Sequence, residues 1–326
     1  MIRILLTLLA AFVIGVVVGK ILLPVLRALK AGQSIREIGP KWHASKAGTP
    51  TMGGLLFITS VLLCMVAAIP AMRSGDFTYL YVFGFALVFG VIGFLDDFVK
   101  VKYHRNLGLT ALQKLVLQLA AAGCYLFLLR WSGHLSADLY IPFFNVAPEI
   151  PWPVYLIFAM FVIVGCVNAV NLTDGIDGLA ASVTVPVMVF FLAASVSAQQ
   201  LGLSLFCAAM IGGLLAFLVY NFHPAKMFMG DTGSLFLGGV VCGTAFALDM
   251  PLVLLLVGLI YIVETVSVIL QVGYFKLTHG KRIFRMTPIH HHFEMGGWSE
   301  VKIVAVFTSI TVVMCLLAWL GIAGRY

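Results

Sequence analysis

The chain has 326 residues, of which 62% are hydrophobic and only 10% are charged, and its mean hydropathy is +1.08. A soluble globular domain carries about 25% charged residues, so this composition excludes that class and predicts an integral membrane protein. The formal net charge of +7 favours anionic partners such as lipid headgroups and phosphorylated substrates.

Ten apolar runs are long enough to cross the roughly 30 Å hydrocarbon core of a bilayer. Their approximate bounds are 2–26, 51–70, 78–95, 112–130, 153–170, 178–197, 202–221, 233–248, 251–275 and 303–323. No cleavage site follows the first run, so we expect it to remain as a helix. The connections are too short for a second folded domain. The sequence therefore predicts one all-α domain over residues 1–326, a polytopic integral membrane protein with about ten transmembrane helices.

The positive residues indicate how these helices are oriented. Most of the 20 Lys and Arg residues lie in the connections after runs 1, 3, 5, 7 and 9. By the positive-inside rule those connections are cytoplasmic and both termini are external. The six cysteines lie in six different runs without paired spacing, so we expect core residues and not disulfides or metal ligands.

Two adjacent acids end the third run. Asp96 and Asp97 would lie near a helix C-terminus, where the helix dipole disfavours anions, so the pair needs positive compensation. Lys100 can reach either carboxylate, but one ammonium does not balance two anions. A divalent cation would supply the missing charge. The alternative is a solvated helix end whose acids merely cap a loop.

Two connections carry features of a phosphate site. Before run 2, Lys46 lies close to Thr49 and Thr51, either of which we expect to cap the helix. Before run 8, Gly230 and Asp231 begin the sequence Gly-Asp-Thr-Gly-Ser, which allows close backbone approach to a phosphate and provides a carboxylate beside it. This is not a Walker A loop, because no Gly-Lys-Ser/Thr follows.

Between runs 5 and 6 lie Asn171, Asp174 and Asp177, and Asn221 ends run 7. The two acids are three residues apart, so they would share a face of a first helical turn. Capping of run 6 is the simpler explanation for them. The connection nevertheless holds more polar groups than one cap needs, so we expect a binding role.

Run 9 and the connection after it hold further polar groups. Glu264 and Gln271 lie within the span, where a carboxylate costs about 2.5–3.5 kcal/mol, so Glu264 should face protein or a water-filled cleft. The consecutive histidines 290–292 would point about 100° apart on a helix, so they cannot all bind one metal ion. We expect donors to phosphate or sugar oxygens rather than a zinc site, with one ring oriented by Glu294.

All of these clusters fall in or beside connections predicted to be cytoplasmic. Carboxylates with Lys and His at helix ends indicate a Mg²⁺ site for a phosphorylated substrate, and phosphoryl transfer is the reaction class that this assembly suits. A secondary transporter would hold its ionisable residues near the membrane midplane, where only Glu264 and Gln271 lie. A membrane haem or metal scaffold would need histidines inside the spans, and none is clearly there. We expect no nucleic-acid partner.

Four motifs resemble those of the polyprenyl-phosphate sugar-1-phosphate transferases, and the similarity extends over nearly the whole chain. They are Asp96-Asp97-Phe-Val-Lys100, Asn168-Ala-Val-Asn171-Leu-Thr-Asp174-Gly-Ile-Asp177-Gly-Leu-Ala, the segment from Asn221 to Ser234, and Pro288-Ile-His290-His291-His292-Phe293-Glu294. The histidine triplet and its flanks are similar to the bacterial members that transfer phospho-MurNAc-pentapeptide.

This resemblance implies transfer of phospho-MurNAc-pentapeptide from UDP-MurNAc-pentapeptide to undecaprenyl phosphate, which gives lipid I and UMP in peptidoglycan synthesis. It implies Mg²⁺ as cofactor, a homodimer, and residence in the bacterial cytoplasmic (inner) membrane with the active site on the cytoplasmic face. The alternative is a related transferase that moves GlcNAc-1-phosphate or another HexNAc-1-phosphate from its UDP carrier to the same lipid.

The resemblance also implies roles for individual residues. Asp231 would bind Mg²⁺, and Asp96 and Asp97 would deprotonate the lipid phosphate or assist the metal ion. His290 would complete the catalytic group. The residues expected to bind the nucleotide, sugar and diphosphate are Lys46, Thr51, Lys100, Lys114, Asn171, Asp174, Asp177, Asn221, Phe228, Gly230, Gln271, His291 and His292. Direct attack by the lipid phosphate and a covalent phospho-aspartate both remain open.

Overall fold

The computed structural model describes residues 1–29, 46, 48–69, 77–103 and 108–325. These residues form twelve α-helices. In chain order the helices are α1 (Ile2–Ala28), α2 (Leu55–Ala68), α3 (Thr78–Lys102), α4 (Ala111–Trp131), α5 (Trp152–Thr173), α6 (Leu179–Ser197), α7 (Leu201–Asn221), α8 (Gly230–Ala247), α9 (Leu254–Val257), α10 (Leu259–Leu277), α11 (Ile289–Glu294) and α12 (Glu300–Ile322). Among the described residues there is no β-sheet, only two isolated bridges between α4 and α5. The predicted all-α fold class is confirmed.

Helices occupy all ten predicted runs, and eight of them are long and apolar enough to cross a membrane. The chain is therefore a polytopic membrane protein. The prediction of one continuous helix over run 9 is wrong. That run is divided into a 3₁₀ helix at Pro251–Val253, the short α9 and the longer α10. Pro251 lacks a backbone N–H and begins the first turn, and Gly258 separates α9 from α10.

Run 2 begins differently from the expectation. The prediction that Thr49 or Thr51 caps this helix is wrong, because α2 starts only after Gly54 and has no side-chain cap. The backbone N–H groups of Gly53 and Gly54 donate instead to the carbonyls of residues 228 and 229, at 2.8 and 3.0 Å. The segment before α2 is thereby bound to the segment that leads into α8.

The centre of the bundle consists of α7 and α8, whose side chains are nearly all buried. Helix α8 packs against α3 and α5, and α7 packs against α1, α2 and α6. By contrast, α1 buries only a few small or apolar residues and presents most of its surface outward, as a lipid-facing helix does. Four of the six cysteines are buried as expected, whereas Cys124 is exposed and Cys166 is half-buried.

Helix directions show which connections share an end of the bundle. Gly212 lies against Leu8 and Gly19 lies against Tyr220, so α1 and α7 run parallel. Helix α8 runs the opposite way, because it starts after α7 ends and finishes beside Arg325, which donates to the carbonyl of Leu248 at 3.1 Å. The two described chain ends therefore lie at one end of the bundle, and the N-terminus of α8 lies at the other. This arrangement agrees with the predicted alternation of the connections.

Helix α3 approaches the start of α8 very closely at Gly93. A Cβ atom there would overlap the carbonyl of Asp231, whereas a Cβ at Gly84 in the same helix would meet nothing within 4 Å. We expect Gly93→Ala to lower stability by about 1–3 kcal/mol, because backbone must shift to relieve the overlap. Thermal unfolding in detergent measures this effect, and Gly84→Ala is the matched control. Equal midpoints for the two variants would contradict the described packing.

Candidate active site

The site begins where the end of α3 meets the start of α8. Asp97 accepts hydrogen bonds from the backbone N–H of Thr232 at 2.9 Å, from its hydroxyl at 2.7 Å and from the N–H of Asp231 at 3.2 Å. The first N–H groups of a helix have no partner inside it, and α8 has no capping side chain of its own. Asp97 therefore caps α8 from another helix. The positive end of α8 supplies part of the compensation that the two acids of α3 require.

Two lysines supply further compensation. Lys100 Nζ lies 2.6 Å from an oxygen of Asp96 and 2.9 Å from Asp231 Oδ2. Lys114 Nζ lies 3.0 Å from the other oxygen of Asp96 and 2.9 Å from the same Asp231 oxygen. The second oxygen of Asp231 accepts from the side-chain amide of Asn171 at 2.9 Å. Helices α3, α4 and α5 thus each contribute one side chain that contacts Asp231 in the first turn of α8.

The three acids can hold a metal ion together. One ligand oxygen from each of Asp96, Asp97 and Asp231 lies within 4.8 Å of the others, although Asp231 is more than 130 positions away from the other two in the chain. Carboxylate oxygens are the ligands that hard divalent cations prefer. Three acids against two lysines also leave negative charge for a cation to balance. The predicted metal residues are therefore brought together, and the donor set fits a divalent ion.

A second acidic cluster lies beside the first and contains Lys46, Asp177, His223 and Glu300. Lys46 Nζ is 2.7 Å from an oxygen of Asp177 and 2.7 Å from one of Glu300. His223 Nδ1 is 3.0 Å from the other oxygen of Asp177. Neither His223 nor Glu300 was among the predicted residues. Glu300 follows Ser299 in the first turn of α12, so in sequence it looks like an ordinary acid at a helix start.

Asp174 lies between the two clusters, in the turn that joins α5 to α6. Burial raises its pKa well above the usual range, and the charges of Asp231, Asp97 and Asp177 raise it further. Both causes disfavour the ionised form of this carboxyl. Helix α6 starts after Gly178 without a side-chain cap, so neither Asp174 nor Asp177 serves the capping role that was the simpler explanation.

The three histidines of α11 have three different partners. His290 Nδ1 lies 3.0 Å from Glu264, His291 Nδ1 lies 2.6 Å from Glu294, and His292 accepts from a backbone N–H at 3.1 Å. The three imidazoles therefore have separate hydrogen-bond partners, although the ring centroids of His290 and His291 are only 4.1 Å apart. Glu294 orients the ring of His291, as expected for one of the three. Glu264 is fully buried, as predicted for an acid within a span, and its partner is His290.

Helix α11 reaches the acidic residues through His290. Its Nε2 atom lies against Gly175, where any Cβ would overlap the ring. Since Gly175 follows Asp174 directly, the absence of a side chain lets His290 approach the turn between the clusters. Sequence spacing gave no sign of this contact, because 114 other residues separate the two positions.

Two of the predicted binding residues have side-chain amides that form hydrogen bonds with backbone groups of the protein. Asn221 accepts from the N–H of Gly178 at 3.0 Å and donates to the carbonyl of Met227 at 2.8 Å. Gln271 accepts from the N–H groups of residues 283 and 284, at 3.1 and 2.9 Å. These amides hold the connections around the site in position.

Thr51, Phe228 and Gly230 line the entry to α8. Gly230 has φ +72°, and a Cβ there would lie 2.6 Å from both Thr51 Oγ1 and an oxygen of Asp97. A left-handed φ and this lack of space both require glycine. The N–H of Phe228 donates to the carbonyl of Pro50 at 2.8 Å, so the half-buried ring is fixed beside the segment that carries Thr51.

An all-α membrane bundle with carboxylates and lysines gathered at its helix ends suits a membrane-embedded enzyme that acts on phosphorylated substrates. The comparisons with known proteins identify this class as a transferase. Residues 79–249 match the family described as Glycosyl transferase family 4. Residues 46–58, which include Lys46 and Thr51, match the Phospho-N-acetylmuramoyl-pentapeptide-transferase signature 1.

Three proteins named phospho-N-acetylmuramoyl-pentapeptide-transferase illustrate the similarity. The one from Clostridium acetobutylicum is 47% identical, over 96% of this chain and 97% of that protein. The one from Clostridium perfringens strain 13 is 48% identical, over 97% and 98% of the two chains. The one from Clostridium kluyveri is 45% identical, over 99% and 100%. The chain belongs to the phospho-N-acetylmuramoyl-pentapeptide-transferase family.

Asp97 of α3 and Asp231 of α8, which meet at the start of α8, should differ in their effect on stability. We expect Asp97→Asn to lower the free energy of unfolding by about 1–2 kcal/mol, because an amide cannot accept all the bonds that cap α8. Asp231→Asn should cost less, since Lys100 and Lys114 keep Asp96 as a partner. Thermal unfolding in detergent compares the two. A larger loss for Asp231→Asn than for Asp97→Asn would contradict the assigned capping role.

Proposed function

We propose that this protein transfers phospho-MurNAc-pentapeptide from UDP-MurNAc-pentapeptide to undecaprenyl phosphate, forming lipid I and UMP. The observation that carries the proposal is the convergence of Asp96, Asp97 and Asp231 with two lysines at one end of the membrane bundle. Near-full-length identity to proteins named for this transfer supports the choice of substrate.

We assign the cofactor as Mg²⁺, held by Asp231 with Asp96. Mg²⁺ takes one or two carboxylates and completes its shell with water and phosphate oxygens, so this donor set suits it. When bound, the ion would offset negative charge on the diphosphate and on departing UMP. Asp97 contributes by fixing the first turn of α8, and with it the orientation of Asp231.

Lys100 and Lys114 are proposed to bind phosphate oxygens during the transfer. Both ammonium groups are partly exposed and lie on the same Asp231 oxygen, so they face the position that a diphosphate would occupy beside this carboxylate. Phosphoryl transfer depends mainly on positioning and on charge stabilisation, which two fixed cations provide.

We propose direct attack by an oxygen of the lipid phosphate on the β-phosphorus of the UDP-sugar. The bond from that phosphorus to the oxygen bridging to UMP breaks, and UMP leaves with the electron pair. A phosphate monoester is largely ionised near neutral pH, its second pKa being about 6, so little base assistance is needed. Both oxygens of Asp97 already accept hydrogen bonds from α8, which disfavours it as a covalent nucleophile.

The remaining predicted residues are proposed to form the nucleotide and sugar pocket around these acids. The residues proposed to line this pocket are Lys46, Thr51, Asn171, Asp174, Asp177, Phe228, Gly230, His290, His291 and His292. Asn221 and Gln271 would act by positioning the backbone. We place the chain in the bacterial cytoplasmic membrane as one domain, 1–326, with this site on the cytoplasmic face and two copies forming a homodimer.

The substrate is tested by offering purified protein, Mg²⁺ and undecaprenyl phosphate each UDP-sugar separately. We expect UMP release from UDP-MurNAc-pentapeptide and none from UDP-GlcNAc, measured by chromatography. Release from UDP-GlcNAc alone would refute the assignment and favour the HexNAc-1-phosphate transferase. Omitting the lipid phosphate tests the mechanism, because direct attack predicts no UMP, whereas a phosphorylated enzyme trapped with the nucleotide alone would overturn it.

Neutralising the proposed metal ligand should abolish turnover without unfolding the protein. We expect Asp231→Asn to lower kcat for UMP release by roughly 100-fold or more, because one fixed charge at the reacting phosphate is lost. Asp138→Asn, at the opposite end of the bundle, is the matched control and should retain full activity. Near-wild-type turnover by Asp231→Asn would show that the metal site is misassigned.

A further inference from the structure

A second polar cavity lies at the end of the bundle opposite the acidic site. Its volume is about 210 Å³. It lies among the connections that follow α4, α6 and α8, together with the segment after α12. The lining residues are Gly133, His134, Ala198, Gln200, Ala247, Leu248, Asp249 and Arg325. None of these side chains takes part in the proposed transfer.

Three helices end at this cavity with the same C-terminal geometry. Helices α4, α6 and α8 are followed by Gly133, Gln199 and Asp249, whose φ values are +75°, +55° and +53°. In each case the next N–H bonds back to the last turn, and the pairs are His134 to Leu129, Gln200 to Ser195 and Met250 to Ala245. Each helix C-terminus carries roughly half a negative charge, so three of them favour a cation in the cavity.

Two residues of the cavity wall carry a buried acceptor atom that lacks a donor. Asp249 Oδ1 and Gln200 Oε1 are buried and have no hydrogen-bond partner within the described part of the chain. The other oxygen of Asp249 accepts from the Ser136 hydroxyl at 2.8 Å. Burial raises the pKa of Asp249, although Ser136 and the charge of Arg325 oppose this. The neighbouring groups therefore leave this carboxylate only partly compensated.

Arg325 does not donate a hydrogen bond to either of these two oxygens. Its guanidinium donates to the carbonyl of Leu248 at 3.1 Å and stacks on the Tyr140 ring, with 4.6 Å between guanidinium carbon and ring centroid. It therefore serves one of the three helix ends and forms part of the cavity wall. The positive charge of the guanidinium repels a divalent ion more strongly than a monovalent cation, and a single carboxylate would hold a divalent ion weakly.

We propose that this cavity binds a primary ammonium group. An ammonium offers three N–H donors, which match the oxygens of Asp249 and Gln200 and the field of the helix ends. The cavity has room for such a group with a few waters, since each water needs about 30 Å³. The cavity lies at the end of the bundle that is predicted to be external, where the ammonium of a phosphatidylethanolamine headgroup or a free amine can reach it.

The test uses the full chain in phosphatidylcholine nanodiscs with three probes: phosphatidylethanolamine, free ethanolamine and calcium chloride. Native mass spectrometry and thermal unfolding measure binding. We expect an amine probe to bind, and Asp249→Asn and Gln200→Met to weaken it about tenfold, because a hydrogen bond to a charged group is lost. Asparagine tolerates the left-handed backbone at this position. Glu149→Gln, an exposed acid at the same end, is the control and should bind normally.

The responses to the three probes distinguish the possible ligands of the cavity. A response to phosphatidylethanolamine alone identifies the lipid headgroup, and an equal response to ethanolamine identifies a free amine; both support the proposal if Asp249→Asn removes them. A response to calcium alone, an amine response that survives in both variants, or no response to any probe would overturn it. UMP release by the variants reports folding independently, because the cavity and the acidic site lie at opposite ends.

Discussion

The structure depends on the contact between the last turns of α3 and the first turn of α8. An isolated helix that ends in two acids would be destabilised by its own dipole, and an isolated helix that starts with Gly-Asp would leave N–H groups unpaired. At this contact α8 supplies N–H donors to the acid of α3, and α3 supplies the acceptor that the first turn of α8 needs. The carboxylate of Asp97 accepts hydrogen bonds from the N–H groups of Asp231 and Thr232. Glycine at 93 permits the approach.

The site follows from this contact. Once α8 is fixed, the side chain of Asp231 points to Asp96, and the lysines of α3 and α4 gather on both. The asparagine of α5 completes the environment of Asp231. A second group of charges then ties the segments before α2, α6, α8 and α12 together through Lys46 and Asp177. A membrane protein can keep so many charges because they lie at helix ends, away from lipid.

Much of this organisation could be predicted from the sequence, because span length, charge asymmetry and polar clusters are local properties. The ten runs and the placement of Asp96 and Asp231 at the same end of the bundle are examples. Other features depend on tertiary contacts that have no local signal. Capping of α8 by Asp97 crosses between helices, Glu300 resembles an ordinary helix-start acid, and the start of α2 is set by pairing with residues near 228. The division of run 9 at Gly258 was missed because apolar periodicity continues through it.

The central claim is that Asp96 and Asp231, far apart in sequence, hold one divalent ion. Manganese can replace Mg²⁺ in oxygen-ligand sites and is detected directly by electron paramagnetic resonance. Titration of the purified full chain with Mn²⁺ in the presence of UDP-MurNAc-pentapeptide should give one bound ion, and Asp96→Asn and Asp231→Asn should each weaken its binding. Unchanged Mn²⁺ affinity and spectrum in both variants would contradict the account.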